Sequence, residues 1–212
     1  MAIADFSGNH TYQDLFDQIM EYRESTRTQI DPGDTVVILS DYNFYAISLF
    51  LMLLNRRCII VPLVSNLHAE IDSRTQVART NKIVRIGPNG TLSVENKNQE
   101  SRHALATKLI EQSKTGLILF SSGSTAEPKA MIHDLDNLVK SYREKKLRKL
   151  NLLVFLMFDH IGGLNTLLNC LSMGANLVLP TSRKPLEVAS LIEKHKVQVL
   201  PTSPTFLNML LI

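Results

Sequence analysis

Residues 117–133 read Leu-Ile-Leu-Phe-Ser-Ser-Gly-Ser-Thr-Ala-Glu-Pro-Lys-Ala-Met-Ile-His and concentrate the chemistry of this chain. An apolar run opens into a loop carrying the hydroxyls of Ser121, Ser122, Ser124 and Thr125, with Gly123 among them and Lys129 beyond. Successive backbone amides in such a loop form an anion-binding concavity. Gly123 permits the backbone angles and close approach that wrapping a ligand requires. Lys129 is a mobile point charge able to reach phosphate oxygens. The chemistry that fits is the cradling of a polyphosphate. The plain alternative is a surface turn, because Ser, Thr and Gly cluster in ordinary loops. Two rival motifs fail on spacing. The Walker loop needs a glycine directly before its lysine, where this chain has Pro128. The serine-hydrolase elbow needs Gly-x-Ser-x-Gly, a frame that neither Ser122 nor Ser124 provides.

A phosphate loop needs a rigid strand behind it, and residues 117–120 read as a buried one. The same pattern surrounds it. Thr11 precedes apolar Leu15, Phe16, Ile19 and Met20, which predicts a capped amphipathic helix. A Pro-Gly turn at 31–34 leads to strands at 36–39, 59–61 and 82–86, separated by helices at 42–55 and 67–78. After a polar hairpin or loop at 88–99, the alternation resumes. Helices are predicted at 136–147, 164–173 and 185–195, with strands at 152–157, 177–179 and 197–200. Gly174 suits a left-handed helix cap. The expected fold class is α/β, mostly parallel sheets flanked by helices. The expected organisation is a first α/β segment over 1–87, a connecting hairpin or loop region over 88–115, and a phosphate-loop segment over 116–212, incomplete at its C-terminus. The final apolar run at 205–212 is expected to reflect truncation of a longer chain, the alternative being a docked terminal helix.

With 212 residues, 44% of them apolar and 20% charged, the composition is that of a globular protein. A net charge of +3 calls for neither nucleic acid nor a membrane surface. The apolar stretch at 42–55 is shorter than the ~20 residues of a membrane span. Cys58 and Cys170 sit in apolar runs and read as small buried hydrophobes, which with the polar residues near the start predicts a reducing, cytoplasmic setting. Among the histidines, His160 precedes Gly162 and Gly163, with Asp159 beside it as a carboxylate able to tune its pKa. A helix cap is the plain reading of His160. Asp134 or Asp136 is expected to cap a helix rather than to form a dyad with His133. The basic run at 142–149 reads as a solvated helix face, since no aromatics interleave for base stacking. His68, His103 and His195 lack partners at metal-ligand spacing.

The order Ser-Ser-Gly-Ser-Thr-x-x-Pro-Lys at 121–129 resembles the phosphate loop of the adenylate-forming superfamily: acyl-CoA synthetases, aryl-CoA ligases, peptide-synthetase adenylation domains and luciferases. Further segments resemble the same family in order: Thr-Tyr-Gln-Asp-Leu at 11–15, Pro-Gly-Asp-Thr-Val-Val-Ile-Leu at 32–39, Cys-Ile-Ile-Val-Pro at 58–62, Phe-Asp-His-Ile-Gly-Gly-Leu at 158–164 and the run at 194–204. Ala126 and Ala130 stand where the family has glycine, and Asp159 where it has an aromatic.

The resemblance implies an enzyme, active in settings such as fatty acid metabolism. It would adenylate a small carboxylic acid with ATP and Mg2+ and pass the acyl group to CoA or to the phosphopantetheine of an acyl carrier protein. It implies that Ser121, Ser122, Gly123, Ser124, Thr125 and Lys129 hold the ATP phosphates. His160, Gly162 and Gly163 would lie at the acyl and thiol pocket. No residue is assigned as a metal ligand; Mg2+ would be held through the phosphates, with Thr125 a candidate contact. The family's later motifs, Tyr-Gly-x-Thr-Glu, the ribose-binding Thr-Gly-Asp and the C-terminal lysine, are absent from these 212 residues. The chain therefore resembles an N-terminal portion, expected to be inactive alone. The alternatives are a non-catalytic interaction module that dimerises through its unfinished apolar edge, and one half of a split enzyme.

Overall fold

The computed structural model describes residues 2–98, 101–121 and 128–211. A short hairpin of β1 (Ile3–Asp5) and β2 (Gly8–His10) precedes α1 (Tyr12–Ser25). Thr11 opens that helix as expected. Its hydroxyl accepts from the Asp14 amide while the Asp14 carboxylate accepts from the Thr11 amide, a complete capping box. The expected alternation follows: β3 (Thr35–Leu39), α2 (Phe44–Asn55), β4 (Ile59–Leu63), α3 (His68–Val77) and β5 (Lys82–Ile86). Next come β6 (Leu92–Asn96), α4 (Ala104–Glu111), β7 (Gly116–Ser121), β8 (Lys129–Asp134) and α5 (Leu135–Lys140). The last elements are β9 (Asn151–Leu153), α6 (Ile161–Met173), β10 (Asn176–Val178), α7 (Pro185–Lys194) and α8 (Pro204–Leu210).

Two sheets form, in the orders β6-β5-β3-β4-β7-β8 and β2-β1-β10-β9. The pairs β5–β3, β3–β4, β4–β7, β1–β10 and β10–β9 are parallel. The pairs β5–β6, β7–β8 and β1–β2 are antiparallel. Side-chain alternation sorts the strand residues into layers. Val36, Ile38, Ile60, Leu117 and Leu119 face inward, onto a core shared with α2, α6 and the inner face of the smaller sheet. Val37, Ile59, Val61, Ile118 and Phe120 face outward onto α3 and α4. Leu153, Phe155 and Val178 bury the far face of the smaller sheet against α7 and α8. The result is five layers, helix–sheet–helix–sheet–helix. It is the expected α/β class of mostly parallel sheets flanked by helices. Helix α2 sits in the middle layer, which explains why it is apolar on every side.

Several expectations shift in detail. Helix α1 buries Leu15 and Tyr22, while Phe16 is 57% exposed, so the inward stripe runs beside the expected one. The helix expected over 136–147 stops at Lys140. Beyond it, Arg143, Lys145, Lys146, Arg148 and Lys149 would stack like charges at helical spacing. The strand expected over 152–157 is paired only as far as Leu153, and the one expected over 197–200 is reduced to a bridge from Val199 to Leu152. Gly174 adopts the expected left-handed cap at φ 64°. Among the described residues no helix is long and apolar enough to cross a membrane. Cys58 and Cys170 are buried free thiols, each pushed up to about 12 by that burial.

Candidate functional site

Two of the phosphate-loop candidates, Ser121 and Lys129, sit on the paired strands β7 and β8. Because β7 runs parallel to β4, Ser121 lies at the edge of the sheet where the central strands end. Ser121 and Lys129 are directly opposite each other in the antiparallel ladder, so the hairpin closes on a hydroxyl and a cation. Lys129 is exposed and Ser121 partly so. Ser122, Gly123, Ser124 and Thr125 fall outside the described residues. At the far end of the hairpin Asp134 caps α5, accepting from the Asn137 amide at 2.9 Å and pairing with Lys114 at 2.5 Å. The capping role expected there is therefore met, and Lys114 holds that carboxyl below its usual range.

The second candidate, the turn at 154–164, leaves β9 and enters α6 pinned from two sides. On one side, Asp41 at the end of β3 accepts from the Phe158 amide at 3.4 Å and pairs with Arg183 at 2.6 Å. Arg183 also donates to the Phe155 carbonyl. On the other side, Asp159 accepts from the Val64 amide at 3.2 Å, just past β4, and lies 3.5 Å from Arg74 of α3. Both sheets are thus tied together at this turn. Phe158 is fully buried between the rings of Tyr42 and Phe50.

His160 is the N-cap residue of α6, without a side-chain capping bond, and its imidazole is 58% exposed. Its Nε2 lies 3.8 Å from Asp159 Oδ1, an oxygen that has no hydrogen-bond partner among the described residues. Burial pushes the Asp159 carboxyl above its usual range. The Val64 amide, His160 and Arg74 act in the opposite direction and offset the burial only in part. Gly163 has a packing role of its own. A Cβ there would overlap the backbone carbonyl of Met157, so glycine lets α6 begin directly beneath the turn.

At the ends of β3, β4 and β5 lies a cavity of about 430 Å³, lined by Ser40, Asp41, Val64, Ser65, His68 and Arg85 among others. It lies beside β3, which has β4 on one side and β5 on the other. Ligands of open parallel sheets bind at such a switch point, outside the carboxyl ends of the strands. Sequence reasoning missed Asp41, Arg74 and Arg183. The one local signal for Arg74 is its i, i+4 spacing from Glu70, with which it pairs at 2.5 Å. Nothing local marked their distant partners. Among the described residues no cluster of potential metal ligands occurs.

The fold is an open, doubly wound α/β sheet with a Ser/Lys hairpin at its strand ends. The profile of the AMP-binding enzyme family matches residues 63–212, and the chain belongs to that family. Solved structures share its fold at low identity. The inhibitor-bound N-terminal domain of FACL13 from Mycobacterium tuberculosis is 17% identical, with a TM-score of 0.75 over 99% of this chain and 60% of that one. Apo MatB from Rhodopseudomonas palustris is 18% identical, with a TM-score of 0.76 over 100% of this chain and 48% of that one. The o-succinylbenzoate CoA synthetase of Bacillus subtilis, solved with its acyl-adenylate intermediate, is 15% identical, with a TM-score of 0.72 over 99% of this chain and 60% of that one. No curated protein matches the chain in sequence. The chain has the fold of the N-terminal domain of acyl-CoA synthetase-like enzymes and spans 48–60% of the length of these structures.

Proposed function

We propose that this chain supplies the phosphate-binding part of an ATP-dependent acid–thiol ligase. The observation that carries the reading is the hairpin that sets Ser121 opposite Lys129 at the strand ends, beside the pinned turn at 158–164. In this reading a substrate carboxylate attacks the α-phosphorus of ATP, the bond to the β-phosphate breaks, and pyrophosphate leaves an acyl-adenylate. A thiol of CoA or of a carrier protein then attacks the acyl carbon, the bond to the AMP phosphate oxygen breaks, and AMP and the thiol proton are released. The chain's own contribution is positioning and charge neutralisation. Ser121 and the residues at 122–125 donate to phosphate oxygens, and Lys129 meets the charge that develops on the departing pyrophosphate. Mg2+, when bound through the phosphates, shields the same charge. His160, Gly162 and Gly163 border the acyl and thiol side.

The site of a complete ligase draws on more chain than this, so the 212 residues are proposed to bind ATP without turning it over. ATP–pyrophosphate exchange over a panel of carboxylic acids tests this. No exchange by the chain alone, together with measurable ATP binding lost in Lys129→Ala, supports the reading. Exchange by the chain alone overturns the binding-only part, and absence of ATP binding overturns the phosphate assignment.

A second reading has its own observation. Along the outer edge of β9 and α8, Val199, Leu207, Met209 and Leu211 are between 36% and 79% exposed. That apolar rim fits completion by a second polypeptide, or a dimer of this chain. Sedimentation over a concentration series separates the dimer from a monomer.

A further inference from the structure

We infer that Arg74 is a positioning residue: one guanidinium ties the strand that enters the phosphate loop to the turn that carries His160. The tie itself is read from geometry; its value for catalysis rests on the ligase reading above.

Arg74 projects from α3, on the outer face of the large sheet. Its guanidinium carbon lies 5.3 Å from the centroid of the Phe120 ring, and Phe120 immediately precedes Ser121. One terminal nitrogen is 2.5 Å from Glu70, one turn earlier on the same helix, and Glu70 in turn accepts from the Ser65 hydroxyl at 2.5 Å. The other terminal nitrogen is 3.5 Å from Asp159 Oδ2. The same Asp159 oxygen accepts from the Val64 amide. Three segments far apart in sequence, the exit of β4, the end of β7 and the turn before α6, therefore meet around one cation. The arginine side chain is 23% exposed and that of Asp159 only 7%, so the contact is shielded from screening by solvent.

The chemistry explains the residue type. A guanidinium is planar: it stacks on an aromatic face while its edge nitrogens serve two carboxylates, which a lysine ammonium does not do at once. Arg74 is also among the groups that oppose the upward push of burial on the Asp159 carboxyl. The partner of Asp159 is the residue that holds Phe120. In an adenylating enzyme the loop fixes the phosphates and the 158–164 turn borders the acyl group. Misplacing reacting groups by about 1 Å lowers rates on the order of a hundredfold. A rigid strut between the two elements is what such a reaction needs.

Hydrogen exchange of the 212-residue chain tests the tie without nucleotide. In Arg74→Met, amides at 118–121 and at 160–164 are expected to exchange at least about fivefold faster. Arg74→Lys restores the charge but not the stacked plane. It is expected to return 160–164 to the wild-type rate and leave 118–121 fast. If Arg74→Met does not fold, Arg74→Lys decides the matter alone, through faster exchange confined to 118–121. Unchanged exchange at either segment in Arg74→Met, or full rescue of both by Arg74→Lys, overturns the inference. Binding of a fluorescent ATP analogue is the second readout. Arg74→Lys is expected to weaken it about threefold, the size of one lost cation–π contact. If the wild-type chain binds no nucleotide, the ligase reading falls, and the exchange result still decides the tie.

Discussion

Adjacent glycines at the start of α6 carry different constraints, and replacing each with alanine separates them. Alanine in a helix is favoured over glycine by up to about 1 kcal/mol, so both changes begin with a gain. At Gly162 a new Cβ would lie 3.0 Å from Leu156 Cδ1, the end of a flexible side chain that can move aside. Gly162→Ala is therefore expected to be neutral or to stabilise by about 0.5 kcal/mol. At Gly163 the new Cβ would meet the carbonyl carbon and oxygen of Met157 and the carbonyl of Leu156, all backbone atoms. Relief requires α6 to shift away from the turn, which loosens Phe158 and the Asp159 contacts. Overpacking of this kind costs about 1–3 kcal/mol, and the fixed backbone points to the upper end. The net expectation for Gly163→Ala is a loss of about 2 kcal/mol, read as a lower urea midpoint at unchanged slope. Equal midpoints for the two variants would refute the close packing of α6 under the turn.

Other perturbations follow from the same contacts. Because burial holds the folded Asp159 carboxyl above its usual value of 3.8, its contribution to stability is present below that pH and is lost as pH rises through the folded value. Asp159→Asn should therefore melt higher than wild type at neutral pH, and the difference should vanish in acid; calorimetry across pH 3–8 checks this, and a lower melting point at neutral pH contradicts it. The Tyr42 hydroxyl is buried without a hydrogen-bond partner among the described residues. Tyr42→Phe should accordingly be neutral or stabilise by up to about 1 kcal/mol in urea denaturation. Cys58 and Cys170, with thiols pushed up to about 12, should resist a thiol reagent at pH 8 until the chain unfolds; rapid labelling of native protein would contradict their burial.

Much of the fold is legible in the sequence because its signals are local. Thr11 and Asp14 form a capping box within one turn, Gly174 marks a helix end, and the runs of β3, β4 and β5 announce buried parallel strands. What escapes is set by distant partners. The three-residue β1 is a strand because Ile3 and Ala4 pair with Leu177 and Val178, far along the chain. Helix α4 follows a polar stretch that gave no reason to expect it, although Ala106, Leu109 and Ile110 pack it on the outer core. Phe16 looks like a core residue by type, yet Tyr22 takes the inward place because its hydroxyl reaches the Gly90 carbonyl at 2.7 Å. The site divides the same way. Ser121 and Lys129 are visible as a motif. Arg74, Asp41 and Arg183 acquire their roles only when the two sheets meet at the 154–164 turn.

The central claim, that the hairpin ending at Ser121 and Lys129 holds the phosphates of ATP, is tested most directly by titrating ATP into the wild-type chain and into Lys129→Ala by calorimetry. A lost charge-assisted contact is worth about 1.5–3 kcal/mol, so the account predicts saturable binding to the wild type, weakened about tenfold or more in the variant. Equal affinity for both proteins, or no binding by the wild type, would contradict it.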